Sequence, residues 1–343
     1  MAEEIAIPGA GRNLKDILRY VAGAAAGIVV LLLLFGKRAE FAAAWHRLGG
    51  FTPGWLAAAA VAEAGSLWLY ATLQHRVLRL TFAKPAMSGL LLLSLANDAI
   101  ANTVPGGPAV SSAYRYRYYR KHGATSEGAG WTIFTVLIAQ AIAMSLILLL
   151  GVLIALSGSA TGANARTAVA GIVIIVAAIA VLARRDLVLR VAAAIVRAIG
   201  RAGIGERIAA TLERMRQIPL GTWQAAWVVV LAAGVWLADF SCLLCAFRAV
   251  HAAIPWSGVL LAYCVAEIAG MLPVVPGGIG IVEGSLAAIL AAYGTERASA
   301  LAAALSFRLV SFWLAIVIGW ISVAAIARRT RRAAAPARVE RAS

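Results

Sequence analysis

The sequence predicts an all-α polytopic integral membrane protein with about six full spans and two re-entrant helical hairpins in an inverted repeat. Hydrophobic residues make up 62% of the chain and charged residues 13%, against roughly 45–50% and 25% in soluble domains. The lysines and arginines cluster between the apolar runs and at the C-terminus. Two Pro-Gly-Gly breaks, at Pro105 and Pro276, interrupt apolar runs and are separated by almost half the length of the chain.

The first apolar runs set the orientation of the chain. Residues 17–35 predict the first span, because roughly 20 apolar residues cross a hydrocarbon core. Basic residues before and at the start of this span place the N-terminus in the cytoplasm; they are Arg12, Lys15 and Arg19. Residues 37–52 predict an interfacial helix on the outer surface, and residues 54–73 predict the second span, which returns to a basic cytoplasmic loop.

The third apolar run, residues 86–104, predicts the first hairpin. If this run crossed the membrane completely, the basic segments 109–121 and 184–216 would both lie outside, against the positive-inside rule. We therefore predict that residues 86–104 enter from the cytoplasm, break at Pro105-Gly-Gly-Pro108 and leave through residues 109–121. The alternative is that each break only kinks a long helix, with glycines for close packing.

The remaining runs follow from the same charge rule. We predict an outward span at 129–155, a return span at 167–183 and an inner-leaflet segment at 184–216. The later elements are an outward span at 223–247, a second hairpin entering from outside through 256–275 and 279–293, and a last span at 299–327.

This order divides the chain into two similar halves. We expect a single membrane domain, residues 1–328, with repeat halves at about 15–156 and 165–328, followed by a basic cytoplasmic tail at 329–343. Because each half makes three full crossings, the second half is inverted relative to the first, which is a transporter arrangement. The prediction is a multi-pass protein of the cytoplasmic membrane with both termini in the cytoplasm.

The candidate site residues form two groups. One group lies at the predicted helix breaks, and the other consists of ionisable residues inside apolar runs; both are energetically costly inside a membrane. Helix ends at a break expose unpaired N–H and C=O groups that can hold a polar or anionic group, and ionisable residues in apolar runs are functional candidates. The break residues are Pro105, Gly106, Gly107, Pro276, Gly277, Gly278 and Gly280. The ionisable residues are Asp98, Glu267, Glu283 and Arg308, with Glu63 and Asp239 ranked lower because they belong to no motif.

Several of these residues have a structural alternative. Glu283 and Arg308 are the strongest candidates and could pair, in which case they could simply tie the hairpin to its neighbour. Asp98 precedes the first break, where interhelical hydrogen bonding is the alternative. Arg115 lies in a basic aromatic helix, residues 114–121, that either anchors at the interface or captures a lipid head group.

The sequence shows no catalytic framework and predicts no metal or other cofactor. The four histidines are scattered, and no HExxH, GxSxG or P-loop motif occurs. The three cysteines lie in apolar runs and are expected to be small buried thiols. Since the basic residues lie where cytoplasmic loops carry them, we expect anionic or polar-headed membrane lipids as partners, and no nucleic acid.

The second break resembles a known family. Pro-Gly-Gly-Ile-Gly-Ile-Val-Glu-Gly, followed in the last apolar run by Phe-Arg-Leu-Val-Ser-Phe-Trp, is similar to the lysylphosphatidylglycerol synthase transmembrane family. This family includes the flippase-like part of the multiple peptide resistance factor and stand-alone relatives. The resemblance covers roughly residues 15–328, and Pro276, Gly277, Gly278, Gly280, Glu283 and Arg308 match family-typical positions.

The first break fits the family pattern less closely, because Ala109 and Ser112 stand where the second has Gly280 and Glu283. The soluble aminoacyl-transferase domain of two-domain members has no counterpart here, so we do not expect synthesis of aminoacylated lipid. The resemblance implies a flippase-like lipid translocator. Alternatives are a membrane glycosyltransferase or its lipid-binding accessory, acting with an envelope-synthesis enzyme, and a scaffold for an envelope-building complex.

The hairpin prediction can be tested by sided labelling. A cysteine introduced at His122 should react with a membrane-impermeant reagent only from the cytoplasmic side, because residues 109–121 return there. Labelling of that cysteine from outside would contradict both the first hairpin and the inverted repeat.

Overall fold

The computed structural model describes residues 52–157, apart from 82, 84 and 105, and residues 221–334, apart from 272–274. These residues form α1 Pro53–Arg79, α2 Met87–Thr103, α3 Gly107–Lys121, α4 Ser126–Ser157, α5 Thr222–Ala249, α6 Val259–Gly270, α7 Ile281–Ala292, α8 Arg297–Arg308 and α9 Ala315–Ala334. A 3-10 turn, Pro276–Gly278, precedes α7, and a π-helical turn, Leu309–Leu314, joins α8 to α9. The described residues contain no strand.

Part of the predicted topology lies outside these residues. The first span at 17–35, nearly all of the surface helix at 37–52, the return span at 167–183 and the segment 184–216 are not among the residues that the structure describes. Pro105 and residues 335–343 of the basic tail are outside them as well.

Four helices are long and apolar enough to cross a membrane, namely Pro53–Arg79, Ser126–Leu156, Thr222–Ala249 and Arg297–Arg329. Each exceeds the roughly 20 residues that a crossing needs. Large apolar side chains, Trp313, Trp320 and Ile321 among them, are exposed along the last helix, as expected of a surface that faces lipid. The chain is therefore an all-α membrane protein, and the number of full crossings stays a prediction.

Two predicted elements differ from the structure. The last span, predicted as one helix at 299–327, contains the π-helical turn after Arg308. Within this turn, the centroid of the Phe312 ring lies 3.8 Å from the guanidinium carbon of Arg308. The arms of the second hairpin, predicted at 256–275 and 279–293, are shorter, since the helices there are Val259–Gly270 and Ile281–Ala292.

Helices α1 and α5 pack against each other in opposite directions. The Thr52 N–H, before α1, donates to the Ala249 carbonyl at the end of α5 (3.2 Å). Near the middle, Ser66 Oγ donates to the Val235 carbonyl (3.0 Å). At the other end, the Arg76 guanidinium lies 5.0 Å from the Trp227 ring centroid. The start of each helix therefore lies beside the end of the other.

Helices α2 and α3 form the first hairpin, and its open end lies at the C-terminal end of α1. A methyl group on Gly89, early in α2, would collide with the Tyr118 hydroxyl, late in α3. Leu78 at the end of α1 packs in one apolar cluster with Leu90 and Tyr118. The two arms are therefore antiparallel and start and finish at the same end of the molecule.

Helices α6 and α7 form the second hairpin, which opens at the opposite end. A methyl group on Gly258, before α6, would collide with the Tyr293 ring, after α7. Val259 and Leu290 share an apolar cluster with Val250 at the end of α5 and with Ala59 near the start of α1. The two hairpins thus open towards opposite ends of the α1–α5 pair.

The tips of the two hairpins touch. A methyl group on Gly277, in the second break, would lie 3.3 Å from the Asn102 carbonyl oxygen, at the end of the first arm of the first hairpin. Gly106 and Gly277, which hold equivalent places in the two breaks, have φ angles of 69° and 66°. These positive values favour glycine, so both breaks turn the chain with the same backbone device.

Each helix from α1 to α4 has a counterpart, in the same order, among α5 to α8. The number of residues between the starts of the two helices is similar for all four pairs. The starting pairs are Pro53 and Thr222, Met87 and Val259, Gly107 and Ile281, and Ser126 and Arg297. The separation is nearly the same within every pair. The described order of spans and hairpins therefore occurs twice with a near-constant offset.

The close contact of Gly277 can be tested with a matched pair of glycines. Gly277→Ala should lower the melting temperature in detergent, because a positive φ costs an L-residue roughly 1–2 kcal/mol and the new methyl group would collide with Phe312. Gly284, inside α7, has open space at its Cβ position. Gly284→Ala should leave stability unchanged or raise it, by up to about 1 kcal/mol. Equal melting temperatures for both variants would contradict the proposed contact.

Candidate functional site

The second break leaves backbone polar groups in an apolar setting, and Glu283 satisfies one of them. Gly277, Gly278 and Gly280 all have positive φ, so the chain turns sharply before α7 begins. Glu283 lies in the first turn of α7, and its Oε2 accepts a hydrogen bond from the Gly280 N–H (2.6 Å). A carboxylate in the first turn also suits the partial positive charge of a helix N-terminus.

Arg308 binds the same break from α8. Its Nε donates to Glu283 Oε1 (2.9 Å), and its Nη2 donates to the Gly277 carbonyl (2.7 Å). Its guanidinium plane also packs on Phe312. The Glu283 and Arg308 side chains are both buried, with each residue 7% exposed. The structure thus brings together four predicted site residues, Gly277, Gly280, Glu283 and Arg308, in the geometry of a tie between hairpin and helix.

The first break is built differently. At the position equivalent to Glu283 stands Ser112, whose hydroxyl donates to the Pro108 carbonyl (2.7 Å). The first arm ends with Asn102, whose Nδ2 donates to the Asp98 carbonyl (3.0 Å). No buried ion pair like Glu283–Arg308 holds this break among the residues that the structure describes.

Arg115, on the second arm of the first hairpin, is a buried cation held by hydroxyl groups. Its Nη1 donates to Tyr70 Oη on α1 (2.7 Å), and its Nη2 lies 3.5 Å from Ser112 Oγ. Its Nε is buried without a hydrogen-bond partner, and the residue is 9% exposed. Asp98 acts on Arg115 only through electrostatic attraction. Arg115 therefore retains a free donor beside the break.

The other basic residues of α3 face outwards. Arg117, Arg120 and Lys121 are exposed, and Arg120 Nη1 donates to the Ala124 carbonyl (2.8 Å) at the end of the helix. The two roles considered for segment 114–121 thus belong to different residues. The exposed side chains suit an interface anchor, and Arg115 alone of its charged residues points into the protein.

Four carboxyl groups converge between the helices. Glu63 lies on α1, Asp98 on α2, Asp239 on α5 and Glu267 on α6, and all four residues are half-buried. Each is near enough to others in the group to feel their charge. Tyr263 Oη donates to Asp239 Oδ2 (2.6 Å), and the carboxyl groups of Glu63 and Asp239 lie within hydrogen-bonding reach of each other.

Glu63 and Asp239 belong to no motif, so the sequence gives no local sign that they lie near each other. The register of the antiparallel pair is the signal that would have found them. Ser66 meets Val235 at the crossing of α1 and α5, and Glu63 and Asp239 lie about one helical turn from that point on their own helices. The antiparallel register of the two helices therefore places Glu63 and Asp239 near each other, although neither residue belongs to a sequence motif.

The described side chains were also compared with the ligand sets that bind metal ions. Within ranges 52–157 and 221–334, no group of three His, Cys, Asp or Glu side chains is arranged to hold a metal ion. Cys242, Cys245 and Cys264 are free thiols.

A comparison with known protein families decides the family. The model described as the lysylphosphatidylglycerol synthase TM region matches residues 20–319. The chain belongs to this family. The resemblance inferred from the second break is thereby confirmed, and the match to the lysylphosphatidylglycerol synthase TM region includes both breaks and Arg308.

Two archaeal relatives show local similarity. A UPF0104 membrane protein of Pyrococcus horikoshii is 35% identical over 89 residues, which is 26% of this chain and 27% of the relative. A UPF0104 membrane protein of Methanothermobacter thermautotrophicus is 30% identical over 94 residues, which is 27% of this chain and 28% of the relative. The matched stretch thus spans about a quarter of each relative's length.

The tie between Glu283 and Arg308 should appear as non-additive stability. Removing one partner of a buried ion pair leaves an unpaired charge and costs roughly 3–5 kcal/mol. We expect Glu283→Ala and Arg308→Ala each to lower stability in detergent, and the double variant to lose clearly less than the sum of the two. As a control, Arg308→Ala combined with Glu127→Ala should be additive, because distant sites rarely couple. Additivity for Glu283 and Arg308 would show that the two charges do not interact.

Proposed function

We propose that this protein translocates a polar-headed or anionic lipid across the cytoplasmic membrane, with the head group passing between the two broken hairpins. The observation that carries the proposal is Arg115. Its guanidinium is buried about two helical turns from the first break, and among the described residues no carboxylate is hydrogen-bonded to it and its Nε has no partner. Such a group is suited to a ligand phosphate. Arginine presents a fork of donors that matches phosphate oxygens.

The second arginine does not compete for this role. The Nε and Nη2 groups of Arg308 are taken by Glu283 and the Gly277 carbonyl, and its face is covered by Phe312. A lipid phosphate could bind Arg308 strongly only by breaking this tie. We therefore place head-group capture at the first hairpin and a structural role at the second.

The arrangement of the hairpins supports an inverted repeat of re-entrant elements. The hairpins open at opposite ends, α1 and α5 run antiparallel, and the tips meet at Gly277 and Asn102. In transporters of this kind, the site lies where broken helices of the two halves meet, and access alternates between the two sides. The proposed orientation places both termini in the cytoplasm.

This function requires no covalent chemistry of the chain. Movement of a lipid between leaflets makes and breaks no bond, so the residues need only replace the water around the head group. Helix ends at the breaks supply N–H and C=O groups, and Arg115 supplies charge. Membrane lipids are thus the proposed ligands, and an envelope-synthesis enzyme that makes or uses the lipid is a proposed partner.

A matched pair of arginines tests the role of Arg115. Arg115→Gln should reduce the rate of lipid movement in reconstituted vesicles roughly tenfold or more, since a hydrogen bond to a charged group contributes about 1.5–3 kcal/mol. Arg117→Gln removes the same charge two residues away on the exposed face and should leave the rate unchanged. The measurement is the chemical quenching of a head-group-labelled anionic phospholipid in the outer leaflet.

Three outcomes separate the alternatives. Equal rates for the parent and Arg115→Gln would remove Arg115 from the path. Lipid binding by the parent without movement would favour the accessory of an envelope-synthesis enzyme. Movement that both arginine variants lose equally would point to surface charge rather than to the buried donor.

A further inference from the structure

The pair Glu63–Asp239 places two carboxyl groups face to face without a donor between them. The two groups are close enough for the charge of each to act on the other, and among the described residues Glu63 Oε2, which is shielded from solvent, has no hydrogen-bond partner. An ionised carboxylate only accepts hydrogen bonds, whereas a protonated one also donates. One proton shared by the pair would therefore supply the missing donor.

The surroundings of the pair add negative charge. Asp98 from α2 and Glu267 from α6 both repel the charge on Glu63. From α6, Tyr263 donates a hydrogen bond to Asp239, and from α8, Arg308 attracts Asp239. The Cys242 thiol on α5 also lies near both acids. Among the described residues, and with Glu283 included, five carboxyl groups in this region interact with two guanidinium groups, those of Arg115 and Arg308.

Such an excess of negative charge is costly in a low-dielectric interior. Two acids that interact strongly release their protons in separate steps, because like charges a few ångströms apart oppose the second ionisation. Both guanidinium groups already have other partners, since Arg308 pairs with Glu283 and Arg115 binds Tyr70. In the described part of the protein, neither guanidinium group is hydrogen-bonded to Glu63 or Asp239, although Arg308 attracts Asp239 from a distance.

We propose that Glu63 and Asp239 form a proton-binding site at the crossing of α1 and α5, and that exchange of its proton drives the lipid movement. The first part rests on the place of the two acids beside the Ser66–Val235 contact and on the unpaired, buried Glu63 Oε2. The second part rests on the proposed function and names its energy source. The location fits coupling, because the two acids belong to corresponding helices of the two halves, so a change in their packing accompanies any rocking of one half against the other.

The proton is the cation that fits the pair. A metal ion needs several oxygen ligands around one point, and the described part of the chain contains no group of three acids, histidines or cysteines arranged to hold one. A shared proton needs only two oxygen atoms in line. The test must still distinguish proton coupling from sodium coupling, because both ions could drive lipid movement.

Infrared spectroscopy tests the proton site without any measurement of transport. The purified protein at neutral pH should show the carbonyl band of a protonated carboxylic acid, with the shift on exchange into D2O that identifies it. Part of this band should disappear in Glu63→Gln and in Asp239→Asn, and should persist in Glu127→Gln, a control acid at the start of α4. Identical bands in the parent and in both pair variants would overturn the proton site.

The leaflet distribution of lipid tests the coupling. With one proton moved per lipid, a gradient of one pH unit supports up to about a tenfold accumulation of labelled lipid in one leaflet. The parent should show this asymmetry in vesicles with an imposed pH gradient, and Glu63→Gln should distribute lipid evenly between leaflets. Asymmetry that follows a sodium gradient and ignores pH would overturn the proton assignment.

The two experiments separate failure of the inference from failure of the proposed function. A parent protein that moves no lipid in either gradient refutes the translocator and its coupling, while the infrared band still decides the proton site. A parent that moves lipid but leaves it evenly distributed under a pH gradient supports translocation and overturns the coupling.

Discussion

The structure depends on how one buried arginine satisfies a broken helix. Interrupting a helix at Pro276 frees backbone groups that an apolar environment cannot hydrogen-bond, at a cost of several kcal/mol for each group. Arg308 donates to the Gly277 carbonyl and to Glu283, and Glu283 in turn accepts from the Gly280 N–H. This chain of contacts ties α8 to the hairpin, and the Phe312 ring in the π-helical turn that follows packs against the guanidinium.

The two breaks share a positive-φ glycine directly after the proline but differ in chemistry. Gly106 and Gly277 turn the chain with nearly the same φ, whereas, among the described residues, only the second break has a completed ion pair. At the first break a serine replaces the glutamate, and the buried arginine on that arm binds hydroxyl groups and keeps a free Nε. The second hairpin, whose break is satisfied by the ion pair, is suited to a rigid structural role. The first hairpin, whose arginine keeps an unpaired donor, is suited to the proposed role of binding a ligand.

Much of this fold followed from the distribution of charge in the sequence. The positive-inside rule and the Pro-Gly-Gly breaks predicted hairpins near residues 86–121 and 256–293, and helical hairpins are found there. That each hairpin enters and leaves the membrane on the same side stays a prediction. The described helices that correspond to predicted spans begin within three residues of the prediction. The π-helical turn at Leu309–Leu314 was not predicted, because a long apolar run predicts one continuous helix and does not show where that helix widens.

The candidate site was predictable only where a motif marked it. Glu283 and Arg308 stood in a recognisable pattern. Whether Arg308 ties the hairpin to α8 or faces a ligand could be decided only from its hydrogen bond to the Gly277 carbonyl. Glu63 and Asp239 carried no local signal, since only the antiparallel register of α1 and α5 brings them together. Arg115 was named as the best candidate for capture because it lies nearest the break, and its free Nε could not be read from the sequence.

The central claim is that the two broken hairpins meet tip to tip inside the protein, and cross-linking in native membranes tests it most directly. In a background without the native cysteines, Asn102→Cys and Ile279→Cys should be joined by a short bifunctional thiol reagent, as shown by mass spectrometry of the digest. Asn102→Cys with Trp223→Cys, at the far end of α5, should not be joined by the same reagent. Efficient modification of both introduced thiols in the first pair, without any link between them, would contradict the account.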